Sequence, residues 1–350
     1  MNKVRRESIK VDRILSDTPL EDDWASEEEQ DKEPVTLNNA IRPKTFADYP
    51  GQQAAKENLK IFVKAALKRG KPLDHVLLHG PPGLGKTTLA HIVANELSVP
   101  FYTTSGPSID KPGDLAGILA GLEAGSLLFI DEIHRLTIQV EEVLYGAMED
   151  FAIDIVVGQG PTARSVKMDI APFTLVGATT KLSSLSRPFL SRFGIQERLM
   201  FYDIGSLTEI LQRSTRVLGI KLSNSGALEI AKRSRGTPRI ANRLLRRAWD
   251  FAEVKDIREI DLHTVQEALS RLDIDSGGLD RIDREILTII QDRYKGGPVG
   301  IEAIAITLGE ERATIEDVYE PFLVYQGFLS RGPRGRSLTD IGRAHLESFH

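Results

Sequence analysis

The chain has 350 residues, with 45 lysines and arginines against 50 aspartates and glutamates, seven histidines and no cysteine. The missing cysteines exclude disulfide frameworks, thiolate metal sites and cysteine nucleophiles, and the length implies two or three domains rather than one core. No apolar run of about 18 residues occurs and the N-terminus lacks an apolar signal core, so a soluble, cytoplasmic protein with no membrane partner is expected.

The net charge of −5 sits at one end. Residues 1–34 hold six basic and eleven acidic residues, and the remaining 316 balance at zero. Glu21-Asp22-Asp23 and Glu27-Glu28-Glu29-Gln30-Asp31 bring little apolar area to set against ordering entropy, so residues 1–36 are expected to form a disordered acidic tail. From Leu37 the texture changes. Ile41-Arg42-Pro43-Lys44-Thr45-Phe46 and Tyr49-Pro50-Gly51-Gln52 lead into an amphipathic helix over 53–68, with Leu59, Phe62, Val63, Ala66 and Leu67 on one side. This leading segment either covers the base of a nucleotide or serves as a packing arm.

The stretch that follows is a short apolar run at Val76-Leu77-Leu78, the loop Gly80-Pro81-Pro82-Gly83-Leu84-Gly85-Lys86-Thr87-Thr88, and a helix whose residues 89, 92, 93 and 97 share an apolar face. Strand, glycine loop and helix in that order make a phosphate-binding loop. Gly80, Gly83 and Gly85 let backbone N–H groups curl round phosphate at a helix N-terminus, Lys86 supplies the charge for the β/γ oxygens, and the Thr87 hydroxyl is a ligand for Mg²⁺. His75 and His79 bracket the strand and are read as structural.

After a strand over 99–102, Leu127-Leu128-Phe129-Ile130 reads as a buried parallel strand ending in Asp131-Glu132. Acidic residues at such a strand end sit where open α/β sheets bind ligands: Asp131 would hold Mg²⁺ through water and Glu132 polarise the attacking water. A helix over 140–150 precedes a β-hairpin, in which Ile153, Ile155, Val157, Val166, Met168 and Ile170 alternate onto common faces. The residues alone favour packing of this hairpin on its own domain over a surface for a partner. Phe173–Ala178 is a further buried strand ending at Thr179, which would face the γ-phosphate or the water. Arg187 and Arg192 follow, and a last strand is expected near Glu197–Phe201.

Residues 205–275 read as helices only, over 206–218, 224–234, 238–254 and 261–272. Within 205–255, eleven basic residues face four acidic ones. Gly236-Thr237-Pro238-Arg239 starts a helix with proline in its first turn, and an arginine there opposes the helix dipole, which suggests an anionic partner for Arg239. Asp275-Ser276-Gly277-Gly278 reads as a linker. Helices over 280–294, 301–308 and 311–326, then a small hairpin round Arg331-Gly332-Pro333-Arg334-Gly335-Arg336, follow the order of a winged helix with three arginines at its tip. Residues 280–350 are slightly acidic as a whole, nine basic against twelve acidic, so charge argues for DNA contact at the tip only.

Taken together, the phosphate loop, Asp131-Glu132, Thr179, Ser191-Arg192-Phe193 and Gly236–Arg239 resemble an AAA+ ATPase with its helical lid. Ile41-Arg42-Pro43, Met148-Glu149-Asp150-Phe151, Gly177-Ala178-Thr179-Thr180, Gly236–Arg247 and Pro333-Arg334-Gly335-Arg336 resemble, more closely, the RuvB family of bacterial Holliday-junction branch-migration motors, from about residue 37 to 350. The resemblance implies an α/β fold: an AAA+ parallel-sheet domain over 37–204, a small all-helical lid over 205–275 and a winged-helix domain over 276–350. It implies ATP and Mg²⁺, with Ile41, Arg42, Gly83, Gly85, Lys86, Thr87, Thr88 and Tyr202 in the nucleotide pocket and Glu149, Asp150 and Phe151 lining it. By the same resemblance Arg192 is a finger acting on the neighbouring subunit's nucleotide, Arg239 senses the phosphate in cis, and the 152–170 hairpin docks the junction-binding protein RuvA. Arg331, Arg334 and Arg336 would contact DNA, with Arg312 at the start of a helix. The function implied is an ATP-driven motor of recombinational repair, working as a homohexamer on four-way junctions and duplex DNA with RuvA, the resolvase RuvC being a further partner. Thr179 stands where AAA+ proteins commonly carry Asn, and the acidic tail has no counterpart in the family pattern. The rival reading is an ATP-switched AAA+ winged-helix initiator or loader; the hairpin and the Gly-Ala-Thr-Thr and Gly-Thr-Pro-Arg motifs argue against it.

Overall fold

A computed structural model describes residues 40–157 and 164–348, so the tail expected over 1–36 and the tip of the hairpin lie outside the described residues. The chain divides into two compact units, one taking the chain up to Gly80 and from Gly85 to Met200, the other Pro81–Leu84 and everything from Phe201 on.

The first unit runs α1 (Gln53–Arg69), β1 (Val76–His79), α2 (Lys86–Leu97), β2 (Phe101–Ser105), α3 (Pro112–Ala120), β3 (Leu127–Asp131), α4 (Ile138–Asp150), β4 (Ala152–Val157), β5 (Arg164–Asp169), β6 (Thr174–Thr179), α5 (Arg187–Leu190) and β7 (Ile195–Arg198). Five strands form one parallel sheet in the order β2-β3-β6-β1-β7. All six residues of β6 and the first four of β3 are buried, as strands covered on both faces by crossover helices must be. Leu128, Ile130, Leu144, Phe173 and Phe189 belong to the resulting core. His75 ties the sheet to α4: its Nδ1 accepts from Leu175 N at 2.9 Å and its Nε2 meets Met148 O at 3.0 Å, with burial lowering its pKa.

Two strand boundaries differ from expectation. β2 extends to Ser105 because its register with β3, Phe101 opposite Leu127 and Ser105 opposite Asp131, recruits Thr103 and Thr104, buried β-branched residues outside any apolar run. β7 lies at 195–198 rather than 197–201: after Leu199 N donates to His79 O at 2.8 Å the chain leaves the sheet, although Leu199-Met200-Phe201 is the more apolar triplet. At Gly80 a Cβ would stand 2.4 Å from Leu199 O, so only glycine allows this crossing.

β4 and β5 pair antiparallel as a separate hairpin, Ala152 opposite Asp169 and Ile155 opposite Val166. Its base is anchored, with Ile153 and Ile170 buried and Met168 packed against the core, whereas Val166 is 50% exposed.

The second unit begins with α6 (Ile204–Leu218), α7 (Asn224–Arg233), α8 (Pro238–Val254) and α9 (Leu262–Arg271). Their starts follow the sequence closely: Asp203, Ser223 and Asp261 each accept a backbone N–H from the first turn, at 2.8, 3.0 and 2.8 Å, and Pro238 opens α8. Then come α10 (Arg281–Tyr294), α11 (Ile301–Leu308), α12 (Arg312–Thr314), a π-helical turn (Ile315–Tyr319), α13 (Glu320–Tyr325), β8 (Leu329–Gly332), β9 (Gly335–Leu338) and α14 (Asp340–Glu347). The single helix expected over 311–326 is thus interrupted. Pro321 has no N–H to continue the α-helical ladder, and the turn before it widens.

Candidate functional site

The order of the sheet decides where chemistry can occur. β1 lies between β6 and β7, its loop leads into α2, and the register sets His79 opposite Thr179. β3 on the far side of β6 brings Asp131 to the same C-terminal edge, so residues far apart in sequence converge where open α/β sheets bind ligands.

At that edge Lys86 is buried to 8% exposure, and its ammonium donates to Gly80 O at 3.0 Å. Gly85 precedes α2 with φ +90, turning the first-turn amides of the helix, those of Lys86, Thr87 and Thr88, toward the loop. The Thr87 hydroxyl lies 3.4 Å from Asp131 Oδ2. Two hard oxygen donors side by side suit Mg²⁺, which keeps several waters and takes its other ligands from phosphate. Among the described residues no group of three His, Cys, Asp or Glu forms an all-protein metal cage.

Glu132 has φ +47, a left-handed conformation that a non-glycine residue adopts at some cost, and its N–H donates to Asp131 Oδ1 at 2.9 Å. Its carboxylate lies 3.3 Å from the Arg135 guanidinium. Thr179 Oγ1 accepts from Lys181 N at 2.9 Å and meets His134 Nδ1 at 3.1 Å. Neither His134 nor Arg135 was picked out by pattern, although both lie within three residues of Glu132. Gly177 makes room for this turn, since a Cβ there would come within 2.8 Å of Ile133.

The leading segment is fixed to α2: Asn95 Nδ2 donates to Lys44 O at 3.1 Å and Phe46 N to Glu96 at 3.0 Å. Ile41 is buried, and burial, with the charge of nearby Arg42 added, pushes His91 down to about 4. Gln52, also unforeseen, closes the unit by donating to Met200 O at 2.6 Å and accepting from Met200 N at 3.0 Å.

Arg192 sits at the end of α5, its guanidinium 3.0 Å from Glu149, donating to Pro188 O at 2.9 Å and 4.6 Å from the Tyr145 ring centre. Asp150 pairs with Lys167 at 3.1 Å, and Phe151 meets Phe173 edge-on. Glu149, Asp150 and Phe151 are therefore assembled with Arg192 and the base of the hairpin, and none of these three interactions is with the phosphate loop. Arg187 is exposed and has no ion pair among the described residues.

In the second unit Gly83, Tyr202 and Arg239 come together. Arg239 N is 3.5 Å from Gly83 O, a Cβ on Gly83 would lie 3.2 Å from Arg239 Cβ, and the Tyr202 hydroxyl donates to Leu84 O at 3.3 Å.

The wing arginines divide into two kinds. Arg331 and Arg336 are cross-strand partners. Arg336 is buried, bonded to Glu320 at 2.8 and 3.0 Å and to Glu316 at 2.9 Å, and Arg331 lies 3.8 Å from the same two carboxylates. Arg312 is exposed but paired with Glu302 and Glu316 at 2.8 and 3.1 Å. Arg334 is exposed and free of ion pairs among the described residues. Arg336 is thus a poor candidate for direct phosphate contact: the antiparallel register turns it onto the helix instead of the tip. Breaking a buried pair from one side leaves charge without compensation, so Arg336→Ala should cost about 3 kcal/mol in urea or thermal unfolding of the winged helix. Arg334→Ala should change stability by less than about 0.5 kcal/mol while lowering DNA affinity.

Three family matches tile the described chain. Residues 41–199 match the Holliday junction DNA helicase RuvB P-loop domain, 202–275 the RuvB AAA lid domain, and 276–347 the RuvB C-terminal winged helix domain. The chain is 52% identical over 329 residues to the Holliday junction branch migration complex subunit RuvB of Staphylococcus haemolyticus strain JCSC1435, covering 94% of this chain and 99% of that protein. Among solved structures, the RuvB Holliday junction branch migration motor of Thermotoga maritima is similar with a TM-score of 0.81 at 49% identity, over 88% of this chain and 98% of that one. Its K64R mutant matches with the same TM-score, identity and coverage.

Proposed function

The chain belongs to the RuvB family of Holliday-junction branch-migration motors, and from that membership we propose that it hydrolyses ATP to move four-way DNA junctions in recombinational repair. The observation that carries the proposal is the convergence of Lys86, Thr87, Asp131, Glu132 and Thr179 on one sheet edge in a chain that also carries a winged helix.

ATP and Mg²⁺ are the proposed substrate and cofactor, and the ion, when bound, would neutralise phosphate charge. Gly83, Gly85, Lys86, Thr87 and Thr88 hold phosphate, Thr87 and Asp131 hold the ion, and Ile41, Arg42 and Tyr202 frame the rest of the nucleotide. Glu132 accepts a proton from the attacking water, and Thr179, oriented by His134 and Lys181, fixes where that water sits. Arg239 reads the phosphate from the lid. Arg192 serves the nucleotide of an adjacent subunit in a homohexameric ring, and Glu149, which neutralises it in the isolated protomer, is the contact it would exchange for phosphate.

RuvA docks on the 152–170 hairpin, whose base is anchored in the core while Val166 is half exposed. The winged helix touches the DNA backbone through Arg334 at the wing tip, without base-specific readout, since backbone contacts suffice for a motor. RuvC is a further partner through the junction. No helix among the described residues is long and apolar enough to cross a membrane; the cytoplasm is the proposed place of work on family membership alone.

The test uses the purified full-length chain on a synthetic four-way junction. Migration is expected only with ATP, Mg²⁺ and RuvA together. Absence of migration with all three, or hydrolysis wholly indifferent to junction DNA and RuvA, would overturn the reading.

A further inference from the structure

Between α7 and α8 the chain makes a tight turn, Ser234-Arg235-Gly236-Thr237, that carries Arg239 on its far side. The turn is confined from two directions. On one side Gly236, at φ +67, lies against Phe201: a Cβ would be 2.9 Å from the Phe201 Cβ, and Gly236 O accepts from Tyr202 N at 2.8 Å. On the other side Arg235, itself at φ +51 and 8% exposed, extends away from the lid into the winged helix.

There its guanidinium is engaged through Nε and Nη2 by the segment that begins α10. Nε donates to Gly278 O at 3.1 Å, Nη2 donates to Asp280 at 2.6 Å and also to Asp283, and the group lies 5.4 Å from the Phe322 ring centre. Asp280 and Asp283 form the capping box of α10, so Arg235 binds the start of the first winged-helix helix through the groups that define it. Asp283 is completely buried, and one of its oxygens has no hydrogen-bond partner among the described residues. Burial pushes its carboxyl up to about 8 despite the neighbouring guanidinium. A buried pair of this kind contributes little net stability compared with apolar packing, and its best-supported use is to fix one arrangement against others.

The lid and winged helix have other ties: Phe201 packs against Tyr325 in a tilted pair at 4.5 Å between ring centres, Arg284 pairs with Asp273 at 2.6 Å, and His345 meets Asp275 at 2.9 Å. These hold the modules together without touching the Arg239 turn, except through Phe201. Among the described residues Arg235 alone is seen to join that turn to α10 by directional bonds, four residues from Arg239 and within the same short loop and helix start.

We infer that Arg235 is a positioning residue, which transmits displacement of the Arg239 turn to the winged helix and so couples the nucleotide state to movement of the DNA-binding module. The inference rests on the reading of Arg239 as the phosphate-sensing arginine of a junction motor. Arg235 touches neither nucleotide nor DNA in it. Its loss should leave each half working and uncouple them.

The experiment measures ATP turnover, affinity for a fluorescent ATP analogue, melting temperature and base pairs migrated per ATP, on full-length chain with RuvA and a synthetic junction. Arg235→Gln is expected to lower base pairs per ATP about tenfold, within the range of measured coupling energies, with analogue affinity and DNA-free turnover unchanged. The variant joining Arg235→Gln to Asp283→Asn removes the buried carboxyl left without its partner; its melting temperature should return toward the parent's while coupling stays low. Recovery of coupling together with stability would overturn the inference, because a purely structural role predicts that the two move together. Should Arg235→Gln not fold, Arg235→Lys decides: it keeps the charge but cannot reach Gly278, Asp280 and Asp283 at once, so wild-type coupling in that variant would overturn the inference. Failure of the parent chain to migrate junctions would instead defeat the functional reading on which it stands.

Discussion

Arg192→Ala should lower the ATPase rate of the assembled ring about 10³-fold or more, the scale on which arginine fingers act, while each protomer still binds nucleotide. In the protomer the guanidinium is neutralised by Glu149, held by Pro188 O and placed over Tyr145, with its Nε buried and without a hydrogen-bond partner among the described residues. That arrangement pre-orients a cation at low entropic cost and leaves a donor to be satisfied elsewhere. A trans role makes a specific demand: mixing Arg192→Ala with Lys86→Ala subunits should restore part of the activity, because a neighbour pair can combine one intact loop with one intact finger. No recovery at any ratio would defeat the trans assignment. Arg187→Ala, measured alongside, should retain most activity; a loss equal to that of Arg192→Ala would move the finger to Arg187.

Glu132→Gln should reduce turnover by about 10²–10⁴-fold, the usual contribution of a general base, and convert the chain into a form that retains ATP. Glutamine preserves size and can still accept a hydrogen bond from Arg135, but it cannot take a proton. Affinity for ATP should therefore be unchanged or tighter, read by retention of labelled nucleotide on rapid filtration. Equal loss of binding and turnover would mean that Glu132 shapes the loop rather than the water. The nearby Arg135, 3.3 Å from the carboxylate and largely exposed, would in that case be a structural partner only.

The contrast between these residues and Arg235 shows what a sequence can disclose. Lys86, Thr87 and Asp131 were legible because phosphate chemistry requires those groups at the junctions of strand, loop and helix, and the periods of strand and helix are local. Thr179 was legible for the same reason, as a polar residue ending a buried strand. His134, Arg235 and Arg336 were not, since each derives its role from a partner supplied by another element: Thr179 from β6, Asp283 from α10, Glu320 from α13. The three arginines between 331 and 336 look alike in a string. Pairing of β8 with β9 separates them, sending one inward and leaving another at the tip. The π-helical turn at 315–319 was hidden because the apolar pattern on either side of Pro321 continues unbroken.

The self-neutralised wing has a consequence for residence time. Each phosphate contact contributes a salt-dependence slope of about −0.9, so a wing with one free arginine should grip duplex DNA with a slope near −1 per subunit instead of near −3. Such a grip is brief. In a ring, several brief grips acting together hold the duplex through effective concentration, yet any one subunit can release and re-engage without the others letting go. On the proposed reading Glu316 and Glu320, by occupying Arg336 and shadowing Arg331, would keep the wing from holding on too long.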